Sequence, residues 1–245
     1  MNLIVSAGFF FDMDTDVWYN QINTFLNYIW SDRIGAVMNI YLLRHGETDW
    51  NKEGRLQGHT DIMLNQKGRK QIGRSAEILA KLPVDFDLII SSPLLRARES
   101  AEITADRLAY PKENIVMEPL LVERSFGEAE GFMVTELGKK YSFDQSLFPL
   151  YQYPGAEPME ELFNRAYSVF DKIVNIYGDK KNILVAAHGA ILYAILTAVT
   201  DGKIAYFGKT TRFDPGSLHL IRYQNGVIDL SRYCTEESSF KDILY

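Results

Sequence analysis

A single cysteine, Cys234, stands among the 245 residues, so no disulfide can close within the chain, and a lone thiol fits a reducing, cytoplasmic setting. Basic residues are outnumbered, 26 Lys and Arg against 32 Asp and Glu, for a net charge of -6. That balance argues against nucleic acid or an anionic membrane as the main partner, and an anionic ligand would have to meet a local basic pocket. No run of about 18 apolar residues is present, which excludes a spanning helix. The first residues lack a cationic leader and soon reach Asp12, Asp14 and Asp16, so neither a secretory signal nor an Arg-rich transit peptide is expected. What is present is ordinary globular composition, 47% apolar and 24% charged, in a length that suits one domain with or without an appendage.

Residues 1–37 read as the appendage. They hold Trp18 and Trp30, the run Phe9-Phe10-Phe11 and one basic residue, Arg33. Trp18, Ile22, Phe25 and Ile29 recur at helical spacing, which predicts a short amphipathic helix capped by Asp14 or Thr15. Two readings stay open: an upstream start without a role, or a helix docked on the domain or on a partner. Residues 38–245 form the domain proper. Strands are predicted at 39–44, 87–91 and 182–187, and helices near 66–81, 94–109, 157–178 and 189–199. Ser217 to Tyr223 and Val227 to Tyr233 flank Asn225-Gly226, a dipeptide suited to a type I′ hairpin turn. The alternation implies an α/β three-layer sandwich, a mostly parallel central sheet flanked by helices, with an antiparallel hairpin at one edge.

In such sheets ligands collect beyond the carboxyl ends of the strands. His45 follows the first strand and His188 follows NILVAA; each precedes a glycine, Gly46 or Gly189, that allows close backbone approach to a ligand. Arg44 offers a fork of donors suited to phosphate. In SSPLLRARESA, residues Ser91 to Pro93 are expected to begin a helix whose start favours an anion. Arg96 and Arg98 lie two apart on it, so one faces the site and the other solvent. Two histidines and two arginines bind phosphate and supply a nucleophile, but a leaving alkoxide also needs a proton donor, and Glu123 in LLVERSFGEAEG is the candidate.

These motifs, RHGETDWN, SSPLLRARESA, LVERSFGEAEG and AAHG in that order, resemble the histidine phosphatase superfamily, the phosphoglycerate mutase-like family, from Met38 to Tyr233. The resemblance implies that His45 is the nucleophile that becomes phosphorylated and Glu123 the proton donor. It implies that Arg44, Arg96 and His188 complete the phosphate pocket, and that Asn51, Gln57 and Gly58 contact substrate. Tyr193 stands where many relatives carry arginine. His59 and His219 are expected outside the chemistry. No His, Cys or carboxylate pair has the local spacing of a metal site, so no metal and no cofactor are expected.

The reaction implied is hydrolysis of a small phosphorylated substrate by a phosphomonoesterase. The alternatives are a 2,3-bisphosphoglycerate-dependent phosphoglycerate mutase and a domain that binds phospho-ligands without turnover. The segment after the glutamate motif carries only Lys139 and Lys140 as adjacent cations, and Gln57 replaces the threonine usual in mutases, which favours hydrolysis. Phe126, Phe132, Tyr141, Phe143, Phe148, Tyr151 and Tyr153 crowd that segment, as the roof of the site or as core. A homo-oligomer is left open.

Overall fold

The computed structural model of the chain describes residues 37–142, 151–199, 213–225 and 227–229. The predicted helix within residues 1–37 lies outside them, as does Cys234. Strand β1 (Met38–Arg44) alternates its side chains between two faces. Ile40 and Leu42 join one buried cluster, Tyr41 and Leu43 another. Short helix α1 (Asp49–Glu53) follows, closed by a capping box between Thr48 and Asn51, and then α2 (Gln66–Ala80), capped by the Asn65 side chain on Gly68 N. Next come β2 (Leu88–Ser91), α3 (Leu95–Arg107), a two-residue strand β3 (Val116–Met117) and α4 (Val134–Tyr141). The chain continues through α5 (Met159–Ile176), β4 (Asn182–Ala187), α6 (Gly189–Val199), β5 (Leu218–Gln224) and β6 (Val227–Asp229).

The six strands form one sheet in the order β3-β2-β4-β1-β5-β6. The first four run parallel and the last two antiparallel, as the hairpin signature predicts. Asn225 takes φ 50° at the turn; the second hairpin strand is described only to Asp229, short of the expected Tyr233. Helices α5 and α6 cover one face through Phe170, Ile173, Ile191 and Ile195. Helices α2 and α3 cover the other through Ile72, Leu79, Ala101 and Ala105. β4 is buried on both faces, which explains its unbroken apolar run NILVAA. A third, smaller cluster of Leu56, Phe126, Ala129, Leu137, Tyr153 and Ala156 lies under the loops that follow β1 and Glu123.

One expected feature differs. The third helix begins at Leu95 and not at Ser91 to Pro93, and its leading amide, Leu95 N, donates to Asp61 Oδ1 at 2.7 Å. The anion favoured at that helix start is a side chain of the protein itself.

Candidate active site

β1 and β4 are neighbours in register, with Arg44 opposite Ala187, and His45 N donates to Ala187 O at 2.9 Å. Both strands end at the same level, so the residues that follow, His45 and His188, emerge side by side. Their ring centroids are 5.1 Å apart. The histidine after each strand is therefore placed by sheet alignment.

A cavity of about 410 Å³ opens over this pair, lined by Arg44, His45, Asn51, Gln57, Gly58, Arg96 and Glu123 among others. Seven of the eight residues singled out from the sequence thus line one cavity. His188 is fully buried beside His45 and does not line the cavity. Its Nε2 pairs with Ser92 Oγ at 2.8 Å, and Nδ1 has no partner.

His45 is buried, and its Nδ1 lies 2.7 Å from Gly46 O. A carbonyl only accepts, so Nδ1 carries the hydrogen and the lone pair is left on Nε2. Burial, with Arg96 and Arg44 nearby, holds the His45 pKa well below the usual histidine value, which keeps the ring neutral. His188 is lowered well below that value too, by burial first and then by Arg96, His45 and Arg44.

Arg96 is fully buried on α3, while Arg98 is exposed and pairs with Glu102 one turn on, the division expected from their spacing. Arg96 Nη1 donates to Thr60 O at 2.9 Å and Nη2 to Gly58 O at 2.7 Å; Nε is buried without a partner. Burial pulls its pKa down to about 10, which still leaves it cationic at neutral pH. Arg96 therefore ties the Gly58–Thr60 loop to α3 while lining the cavity. From the other side, the Glu130 carboxylate accepts from His59 N, Thr60 N and Thr60 Oγ1. Arg44 donates from Nη1 to Phe213 O.

Glu123 lies between two 3-10 turns, Pro119–Leu121 and Gly127–Ala129. Its Oε1 accepts from Arg124 N at 3.0 Å, Ala190 N at 3.0 Å and Ile191 N at 3.2 Å, while Oε2 has only Ala190 N at 3.2 Å. The carboxylate is seated on the N-terminus of α6. A Cβ on Gly189 would lie 3.6 Å from Arg44 Cζ and 3.7 Å from Glu123 Oε2, so the glycine does bring backbone up to the cavity. Gly46 is not among the residues that line the cavity, and the close approach it allows is to the backbone of Gly68. Asn51 spends its Oδ1 on Thr48, which leaves the Nδ2 amide to donate into the cavity.

Four features escaped the sequence. Arg55 lines the rim, bonded to Glu53 Oε2 at 2.5 Å and to Gly131 O at 2.7 Å. Phe213 lines the cavity and meets Tyr193, another lining residue, edge to face at 4.9 Å. Ser92 fixes one nitrogen of His188. His59, set aside as outside the chemistry, donates from Nε2 to the Glu123 carbonyl at 2.8 Å. His219 is buried against Phe213, with ring centroids at 3.9 Å, and does not line the cavity. Of the aromatic segment, Phe126 lines the cavity; Tyr141, Tyr151 and Tyr153 pack on one another; Phe143 and Phe148 lie outside the described residues.

The family model for the histidine phosphatase superfamily, branch 1, matches residues 40–236. The chain is 39% identical over 163 residues to PhoE of Bacillus subtilis, an uncharacterized phosphatase, covering 66% of this chain and 78% of PhoE. It is 33% identical over 210 residues to a metal-independent phosphoserine phosphatase of Arabidopsis thaliana, covering 82% and 84%. Among solved structures, phosphoglycerate mutase from Bacillus anthracis superposes with a TM-score of 0.72 at 23% identity, over 84% of this chain and 96% of the mutase, and so shares the fold. The paired strand-end histidines, the arginines around them and the matched length agree: this chain belongs to the histidine phosphatase superfamily.

Proposed function

We propose that the protein is a phosphomonoesterase that hydrolyses a small phosphorylated metabolite through a phosphohistidine at His45. The observation that carries this reading is the bond from His45 Nδ1 to Gly46 O, which leaves a neutral Nε2 as nucleophile between two arginines. In the first step Nε2 attacks phosphorus in line; the P–N bond forms as the ester P–O bond breaks. Arg44 and Arg96 hold the charge of the equatorial oxygens, the task a metal ion performs in other phosphoryl-transfer sites. The leaving alkoxide takes a proton from Glu123. Oε2, which has the fewer hydrogen bonds and faces Gly189, is the oxygen suited to hold it. In the second step Glu123 takes a proton from water, the water oxygen bonds to phosphorus, and the P–N bond breaks to release phosphate and restore His45.

Hydrolysis is favoured over the mutase reaction because Lys139 and Lys140 do not line the cavity; Lys140 sits 3.4 Å over the Phe132 ring. A bisphosphorylated cofactor and a carboxylate would call for cations beyond Arg44 and Arg96, and among the described residues the lining adds Arg55, which is already paired with Glu53. Leu56, Phe126, Val134, Tyr193 and Phe213 also line the cavity, which suits an apolar or aromatic leaving group. The test is release of inorganic phosphate from p-nitrophenyl phosphate and 3-phosphoglycerate by the wild type and His45→Ala, with acid-quench detection of a labelled phosphohistidine. Release that depends on His45 supports the reading. Equal release from both proteins, or isomerisation of phosphoglycerate without release, overturns it.

A further inference from the structure

The proton donor sits on a stretch without regular structure, yet one side chain from α5 grips its backbone. Arg165 Nη1 donates to Leu120 O at 2.5 Å and to Val122 O at 2.6 Å, and Nη2 reaches Glu123 O at 3.4 Å. The remaining donors are taken by Glu157 in a two-pronged ion pair, Nε to Oε1 at 2.9 Å and Nη2 to Oε2 at 2.8 Å. The pair is nearly buried, 13% and 12% exposed, so water competes little for it. Glu157 in turn donates its amide to Ser125 O at 3.0 Å and accepts from Arg124 Nε at 3.0 Å. The carbonyls of residues 120, 122, 123 and 125 are thus fastened on both sides of the donor. α5 is itself anchored by Leu162, Ala166, Val169 and Phe170 in the core.

From this geometry we infer that Arg165, locked by Glu157, is a positioning residue for Glu123: it fixes the donor's backbone so that the carboxyl stays on the α6 N-terminus and in reach of the leaving oxygen. No side-chain atom of Arg165 lines the cavity, so it acts through Glu123 and not on the substrate. Lysine cannot replace it, because a single ammonium cannot serve three carbonyls and a carboxylate in one plane. The inference rests on the assignment of Glu123 as proton donor.

The leaving group separates positioning from mere support. A proton donor matters for an alkoxide, a poor leaving group, and little for a nitrophenolate that departs without a proton. The experiment compares kcat/KM, which reports the step to phosphohistidine, for glycerol 2-phosphate and 2,4-dinitrophenyl phosphate in the wild type, Glu123→Gln, Arg165→Met and Arg165→Lys. The expected result is a loss of about 100-fold on the alkyl ester and less than about 5-fold on the aryl ester for both Arg165 variants, the pattern of Glu123→Gln on a smaller scale. If Arg165→Met does not fold, Arg165→Lys, which keeps the charge, carries the comparison. Equal loss on the two esters in the Arg165 variants, with Glu123→Gln selective, overturns the inference alone. Equal loss in Glu123→Gln itself overturns the assignment of the donor.

Discussion

The backbones of Gly46 and Gly68 are in contact: a Cβ on Gly46 would lie 2.4 Å from Gly68 O, and one on Gly68 would lie 2.1 Å from Glu47 O. The atoms met are backbone and cannot swing aside. The contact presses the residue after His45 against the first turn of α2, and Gly46 O is the acceptor that fixes the His45 ring. Gly46→Ala and Gly68→Ala are each expected to cost about 2 to 3 kcal/mol through overpacking and to lower activity in the molecules that still fold. Urea unfolding together with kcat on the same samples checks this; wild-type stability in either variant would show that the contact is not tight.

Arg96 anchors the Gly58–Thr60 loop through two carbonyls, and anion binding is the second duty proposed for it. Arg96→Lys keeps the charge and loses the anchorage, so it is expected to behave almost as badly as Arg96→Gln. Both should lower kcat/KM by about 100-fold or more. Recovery of most activity by lysine would show that charge alone matters.

The neutral state of His45 has a spectroscopic consequence. Burial, Arg96 and Arg44 all disfavour its imidazolium, so its ring resonances should stay flat as the pH is lowered from about 8 through the ordinary histidine range near 6.5. Arg96→Gln removes one of the two repelling cations and should move the titration upward. A wild-type midpoint near 6.5 would contradict the electrostatic account of the nucleophile.

Stability should depend on pH through three buried histidines. His45 and His188 are held well below the ordinary value, and His219 is pushed down by burial to about 3. The folded pKa lies below the unfolded one, so their contribution is complete above about pH 6.5 and is lost as pH falls beneath it, while the unfolded chain takes up protons that the native state refuses. Each histidine contributes a slope approaching about 1.4 kcal/mol per pH unit, or about 4 for the three together. Urea titrations at several pH values measure the slope, and His219→Gln should remove close to a third of it. A flat profile between about pH 6.5 and 5 would show that these rings are not buried and neutral.

Much of this was legible in the sequence, for definite physical reasons. Doubly buried strands read as apolar runs, so β4 and the histidine after it could be located from NILVAA alone. β1, covered on both faces, likewise reads as an apolar run, IYLL, and a spacing of two separated buried Arg96 from solvated Arg98. Less could be read where a residue's role is set from far along the chain. The seat of Glu123 is made by amides 67 and 68 positions later, and its clamp, Arg165, lies on a helix whose own pattern signals only an apolar face. Gly46 looked like a ligand-facing glycine because nothing local announces that Gly68 fills the same space. The two-residue strand β3 has too few positions to show any period.

The alignment of β1 with β4 has one more consequence. Because Arg44 sits opposite Ala187, a slip of one position between these two strands would reverse the faces to which one strand's side chains point and separate the two imidazoles that now lie side by side. The proposed chemistry would thereby depend on strand register, since the two imidazoles come together only when β1 and β4 lock in step.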